Sequence, residues 1–278
     1  MKNAQYNGDM NPFFQRLALM AGTEAIDMLA RLRVIVFGVG GVGSWSAEAL
    51  ARSGVGRIVI VDSDTVCVTN INRQAQAMPS TIGMPKVRAL RDRLLAINPN
   101  CSVTAFERVF SKENAELFDM ENADYVIDAI DSLTYKLDLI EACFQKKVKL
   151  FSSMGMAQKL DPVQLKTADI WDTHDCPLAR LVRYGLRKRG FDGHFTVVFS
   201  GERIPLHSEI PVSCGKARCL CPAKNRAAGT TGQDAPEWCV SKKVINGSSV
   251  TVTASAGMIL AGLVVQDVYA KAGSVKEP

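Results

Sequence analysis

The sequence holds 278 residues, 47% of them hydrophobic and 22% charged, enough to bury a sizeable core in one large α/β domain or two smaller ones. A net charge of +5 admits an anionic partner without demanding one. Eight cysteines behind a polar start (Met1-Lys2-Asn3) argue against a secreted disulfide framework and for a reducing cytosol, where thiols are free, metal-bound or catalytic.

The first predicted element, Asn11 to Leu29, is amphipathic and helical, and Gly22 breaks it. Arg33–Phe37 is an apolar strand that runs directly into Gly38-Val39-Gly40-Gly41-Val42-Gly43-Ser44, and a helical pattern resumes at Ala47–Ala51. In such a strand–turn–helix the glycines permit a tight turn, and the helix N-terminus faces a phosphate with its amides and positive dipole end. The pattern serves NAD and ATP enzymes alike. Strand Arg57–Val61 then ends at Asp62, a loop carries Thr69-Asn70-Ile71-Asn72-Arg73-Gln74, and a helix covers Lys86 to Ile97 after Pro85. Strand Ser102–Phe106, a helix around Asn114–Asp119, strand Tyr125–Ile127, a helix over Leu133–Lys146 and strand Lys149–Ser153 follow. Apolar strands alternating with helices predict a doubly wound, mainly parallel sheet with the ligand at the carboxyl ends of its strands.

Beyond Gly155 the rhythm changes. A strand is expected over Val163–Ile170, a helix over Cys176–Arg189 with Pro177 in its first turn, and a strand over Thr196–Ser200. These would be antiparallel additions. Residues 201–243 read as a long cysteine-bearing loop, functional or disordered, followed by Val250–Thr253 and a helix over Ala256–Ala270. The expected organisation is one domain, with a helical arm over 1–30, a nucleotide-binding half over 31–160 and a substrate and dimer half over 161–278. Val244–Gln266 lacks charge, but only Ala256–Val265 is densely apolar. A spanning helix needs roughly 20 apolar residues, so a buried core helix is the expectation and membrane contact the alternative.

The charged residues narrow the ligand. A carboxylate at Asp62 reaches ribose hydroxyls under either nucleotide. Arg73 and Lys86 offset a triphosphate better than a nicotinamide dinucleotide. Asp131, just past the fourth strand, is a hard oxygen ligand for Mg²⁺. Taken singly, the three are a loop cation, a helix-start lysine and an N-cap.

These elements resemble the adenylating superfamily that includes the molybdopterin- and thiamine-synthesis activators and the ubiquitin-activating enzymes. The resemblance rests on the GVGGVGS turn, Asp62 with Asp64, Asn70-Ile71-Asn72-Arg73-Gln74, Gly83-Met84-Pro85-Lys86 and Asp128-Ala129-Ile130-Asp131, and it spans nearly the whole chain. It implies Mg-ATP in a cleft bounded by Gly38, Gly40, Gly41, Gly43, Asp64, Asn70 and Asp128. Asp62 would hold ribose, Arg73 and Lys86 the phosphates and Asp131 the metal. Arg16 would extend into the partner subunit of a homodimer. Ser44-Trp45, Ala47 to Arg52, Val66 to Asn70 and Cys176-Pro177-Leu178-Ala179-Arg180 are most similar to the branch that dehydrates threonylcarbamoyladenosine in tRNA. That branch adenylates the threonyl carboxylate beside the anticodon and closes it to a cyclic form, with AMP released. Accessory sulfur-transfer proteins are further partners to expect, and a monovalent cation is an optional cofactor.

The main alternative is adenylation of a ubiquitin-like sulfur carrier ending in Gly-Gly; a nucleotide-sensing or NAD-binding module is the third. Many carrier activators hold zinc with paired C-x-x-C motifs, and this chain has none. Cys214, Cys219, Cys221 and Cys239 could still make a tetrahedral Zn²⁺ site. Free thiols, or a thioester-forming thiol activated by Lys216, Arg218 and Lys224, are the other readings of that loop. A tRNA substrate calls for a basic footprint, and Arg180, Arg183, Arg187, Lys188 and Arg189 supply a candidate, with Lys146, Lys147 and Lys149 as an extension. The competing reading is a solvated surface helix.

Overall fold

The structure is a computed structural model that describes residues 11–205 and 246–274. Its strands are β1 (Arg33–Phe37), β2 (Arg57–Val61), β3 (Ser102–Phe106), β4 (Tyr125–Asp128), β5 (Lys149–Ser153), β6 (Lys166–Asp169) and β7 (Thr196–Phe199). They form one sheet in the order β3-β2-β1-β4-β5-β7-β6, parallel throughout except for the antiparallel β6–β7 pair. The expected doubly wound α/β architecture is therefore present. The order reverses between β1 and β4, which leaves a crevice at their carboxyl ends.

Within each apolar strand, alternate residues part to opposite faces. Val34, Val36, Ile58, Ile60 and Ile127 join one core with helices α1 (Gln15–Arg31), α2 (Gly43–Arg52), α3 (Lys86–Ile97) and α6 (Val250–Ser274). Ile35, Phe37, Val59, Val61 and Val126 join the other with α4 (Leu133–Gln145) and α5 (Pro177–Lys188). α1 bends at Gly22, whose φ of 82° is non-helical, where the sequence placed the break.

Three elements differ from expectation. The segment around Asn114 is a 3₁₀ run, Lys112–Phe118, rather than an α-helix. The strand foreseen over Val163–Ile170 shrinks to Lys166–Asp169. Asp161 accepts from Val163 N and Asp169 from Trp171 N, so short capped turns replace both of its ends. Val250–Thr253, set apart from the Ala256–Ala270 helix in the sequence, forms the first turn of α6, and the Ser249 hydroxyl accepts from Thr251 N at 3.2 Å. Tertiary contact overrides β-branched propensity here. α6 lies close against α2: a Cβ at Gly257 would stand 2.5 Å from the Val42 carbonyl oxygen, and Ser46 Oγ donates to Gly257 O at 3.0 Å.

α6 is long and apolar enough to cross a membrane by length and composition alone. Val252, Ala256, Leu260, Val264, Val268 and Ala272, spaced by four, are buried in the core. Its far end is clamped: Asp267 accepts from Tyr125 Oη at 2.5 Å and from Lys149 Nζ at 2.5 Å, and Lys271 Nζ lies 3.0 Å away. Burial works to raise the Asp267 carboxyl, but these donors outweigh it and hold the group at about 2, against an ordinary 3.8. A depressed folded-state value stabilises above the unfolded value and loses that contribution as pH falls through the folded one. Denaturant midpoints of the wild type should therefore fall more steeply than those of Asp267→Asn between about pH 4 and pH 2. Parallel curves for the two proteins would remove the clamp from the account.

Candidate functional site

The glycine turn leaves the carboxyl end of β1 with Gly38 at φ 81°, and a Cβ there would stand 2.7 Å from the Ala129 carbonyl oxygen. Only glycine allows both the positive φ and this approach to the β4 loop. Val39 N donates to Asp62 Oδ2 at 2.8 Å, and Asp64 N donates to Asp62 Oδ1 at 2.8 Å. One carboxylate at the tip of β2 thereby fixes both the glycine turn and its own loop.

Lys86, in the first turn of α3, reaches back to the same acids, 2.7 Å from Asp64 Oδ2 and 3.9 Å from Asp62 Oδ1. Burial works to lower its pKa, but Asp62, Asp64 and Asp131 more than reverse this, so it stands above the ordinary lysine value. The ammonium stays charged through any working pH. Burial raises the Asp62 carboxyl, against the opposing pull of Lys86.

Asn70 accepts from Cys67 N at 2.9 Å and shapes the turn leading to Arg73. Arg73 Nη1 donates to Thr69 O at 2.7 Å and Asn72 Oδ1 at 3.0 Å, while Trp45 Nε1 donates to the Arg73 carbonyl at 2.9 Å. Asn72 Nδ2 donates to Ser248 O at 2.8 Å, tying this loop to the approach to α6.

One cavity of about 570 Å³ joins these groups. Gly38, Gly40, Gly41, Asp62, Asp64, Asn70, Arg73, Lys86 and Asp131 all line it. A Cβ at Gly40 would meet nothing nearer than Gln74 Nε2 at 3.9 Å, so the turn opens onto free space. The same cavity is lined by Ser153 at the end of β5, by Met154, Gly155 and Met156 beyond it, and by Leu178 in the first turn of α5.

Several expected site residues lie elsewhere. Gly43 is buried at the start of α2 and does not line the cavity. Asp128 is fully buried behind the wall, where Ile130 N donates to Oδ1 at 3.0 Å and Lys136 Nζ stands 2.5 Å from Oδ2. It shapes the Ala129–Asp131 turn instead of reaching a ligand. Arg16 is exposed on α1 and absent from the cavity of its own chain. Cys214, Cys219, Cys221 and Cys239, with Lys216, Arg218 and Lys224, lie outside the described residues.

The basic helix is only partly as foreseen. Arg180, Arg187 and Lys188 are exposed. Arg183 turns in to donate to Thr173 Oγ1, and Arg189 pairs with Asp138 at 2.7 Å and Glu141 at 2.9 Å. Lys146 pairs with Glu116 and Lys149 with Asp267, so neither adds free charge to that face.

Sequence reasoning missed Lys136, Arg108 and the Met154–Met156 segment. Arg108 and Met154 follow β3 and β5, so the rule that ligands gather at strand carboxyl ends was the available signal. Lys136 gave none: a lysine inside a helix reads as surface, yet this one is fully buried among Asp128, Ser152 and the Ser153 carbonyl.

A reversed-order parallel sheet with a glycine turn facing a carboxylate–lysine cluster defines an α/β protein with a nucleotide-type site at its switch point. The chain belongs to the ThiF family, whose profile matches residues 14–277. It is 42% identical over 255 residues to tRNA threonylcarbamoyladenosine dehydratase of Bacillus subtilis, covering 91% of this chain and 93% of that protein. The Escherichia coli protein of the same name is 35% identical over 266 residues, with 93% and 94% covered. A crystal structure of E. coli tRNA N6-threonylcarbamoyladenosine dehydratase in complex with ATP superposes with a TM-score of 0.75 at 31% identity, covering 94% of this chain and 95% of that one. Molybdopterin-synthase adenylyltransferase of E. coli is 36% identical over 125 residues, or 45% of this chain.

Proposed function

We propose that this chain is an ATP-dependent dehydratase of threonylcarbamoyladenosine in tRNA, working in the cytoplasm as a homodimer. The observation that carries the reading is one cavity of about 570 Å³ lined both by the phosphate-type cluster and by Met154 and Leu178. It draws further support from relatives of that name matched along nearly their full length.

A carboxylate is a poor electrophile because oxide is a poor leaving group. Attack of a threonyl carboxylate oxygen on the ATP α-phosphorus expels pyrophosphate and leaves an acyl adenylate. The neighbouring ureido group then attacks the acyl carbon and loses its proton. AMP departs with one former carboxylate oxygen, so the nucleoside becomes lighter by one water. Juxtaposing the two groups can contribute about 7 to 11 kcal/mol toward the barrier. No protein nucleophile is needed.

In this scheme Asp62 holds the ribose, while Arg73 and Lys86 bind the phosphates. The described cavity wall balances Asp62, Asp64 and Asp131 against Arg73, Lys86 and Arg108. A triphosphate therefore needs added positive charge, for which Mg²⁺ on Asp131 and Arg16 of the partner subunit are the sources. Mg²⁺ takes phosphate oxygens and waters beside one carboxylate, which suits this wall. When bound, it neutralises charge on the pyrophosphate that leaves. Arg180, Arg187 and Lys188 contact tRNA phosphates in a salt-sensitive way.

The test is incubation with ATP, Mg²⁺ and tRNA bearing threonylcarbamoyladenosine, followed by nucleoside mass analysis. Loss of one water, with AMP formed in equal amount, is expected. An unchanged nucleoside, with AMP released only when a carrier protein ending in Gly-Gly is added, would replace this reading with carrier adenylation.

A further inference from the structure

The outer face of α5 carries a feature that phosphate contacts alone do not use. The helix contains no acidic residue, and Ala179, Val182 and Leu186 form its buried stripe. At about 100° per residue, the opposite face is centred on Tyr184. Arg180 and Lys188 lie one turn to either side, with Leu181 and Arg187 at the edges. Tyr184 is 68% exposed and Leu181 46%. The Arg187 guanidinium lies over the Trp171 ring, 5.2 Å from its centroid. Arg180 and Lys188 make no ion pair among the described residues.

The helix that carries this face also borders the candidate site, because Leu178 in the first turn of α5 lines the cavity. Tyr184 follows six residues on, about 9 Å along the axis and about 120° around it, so a strand leaving the cavity reaches the ring by passing round the helix. Stacked nucleotides rise about 3.4 Å each along a strand, so that distance is the span of a few of them. A flat ring ringed by cations matches a single-stranded RNA loop, whose bases have π-faces and whose phosphates are anionic. An acidic peptide would satisfy the cations and leave the ring uncovered.

We propose that Tyr184 is the stacking platform for an unpaired base in the loop whose modified nucleoside enters the cavity, with Arg180 and Lys188 on the flanking phosphates. The proposal rests on the tRNA reading above and adds how that loop is held. Tyr184→Ala should raise the KM for tRNA about tenfold, the size of one lost aromatic–base stack, while kcat and the KM for ATP stay near wild type. Tyr184→Phe keeps the ring and should behave as wild type. A merely structural role would lower thermal stability and kcat together. Anisotropy of a labelled, unmodified anticodon stem-loop separates this proposal from the reaction itself. Weaker binding by Tyr184→Ala, rescued by Tyr184→Phe, supports the platform even in the absence of turnover. Equal binding by wild type and Tyr184→Ala overturns it and leaves the face to a protein partner, as would a Phe variant that fails like Ala.

Discussion

Arg73→Ala is expected to cut turnover by about 10²- to 10³-fold, the usual cost of losing one preorganised group aimed at developing charge. The protein should stay folded. Trp45 Nε1 still holds the Arg73 carbonyl without the guanidinium, and what is lost are the exposed side-chain bonds to Thr69 O and Asn72 Oδ1. Stability should therefore fall by no more than about 1–2 kcal/mol, the size of those exposed bonds. Arg73→Lys restores charge without the planar fork and should fall between the two. Single-turnover formation of AMP from ATP and modified tRNA is the measurement. Near-wild-type rates in Arg73→Ala would remove Arg73 from the phosphate site and leave Lys86 and Arg108 as the cations of the described wall.

Lys136→Met should produce the largest loss of stability. Lys136 and Asp128 are both fully buried and 2.5 Å apart, and Ser152 Oγ donates to the same carboxylate oxygen at 2.6 Å. Removing the ammonium strands a carboxylate in the core, which typically costs about 3–5 kcal/mol. In a chain of this size that corresponds to a fall in Tm on the order of 10 °C. Activity should fall as well, because the other Asp128 oxygen accepts from Ile130 N and so positions the turn that carries Asp131. Adding Asp128→Asn to Lys136→Met should recover part of the stability, since a neutral amide is cheaper to leave in the core. A Tm of Lys136→Met close to wild type, measured by calorimetry, would show that the pair does not brace this turn.

Much of the architecture was legible because it depends on local patterns. Continuous apolar runs at Arg33–Phe37 and Arg57–Val61 can only be strands buried on both faces, and helices between them force parallel pairing. Capping chemistry was less legible. Asp161 and Asp169 cut the predicted strand to Lys166–Asp169 by offering backbone amides an alternative acceptor. At the site, Asp62, Arg73, Lys86 and Asp131 could be singled out because each follows a strand or opens a helix at the expected end of the sheet.

The sequence by itself determined the glycine turn, the strand–helix alternation and the charged residues at the strand tips, since backbone sterics and hydrophobic periodicity act over a few neighbouring residues. Only the tertiary structure decided that Asp128 turns inward to Lys136, that Arg183 and Arg189 are spent on Thr173 and α4, and that α6 lies against α2. Those outcomes depend on which distant groups share a desolvated space. A charge goes where a partner compensates its burial, and no local pattern records where that partner will be.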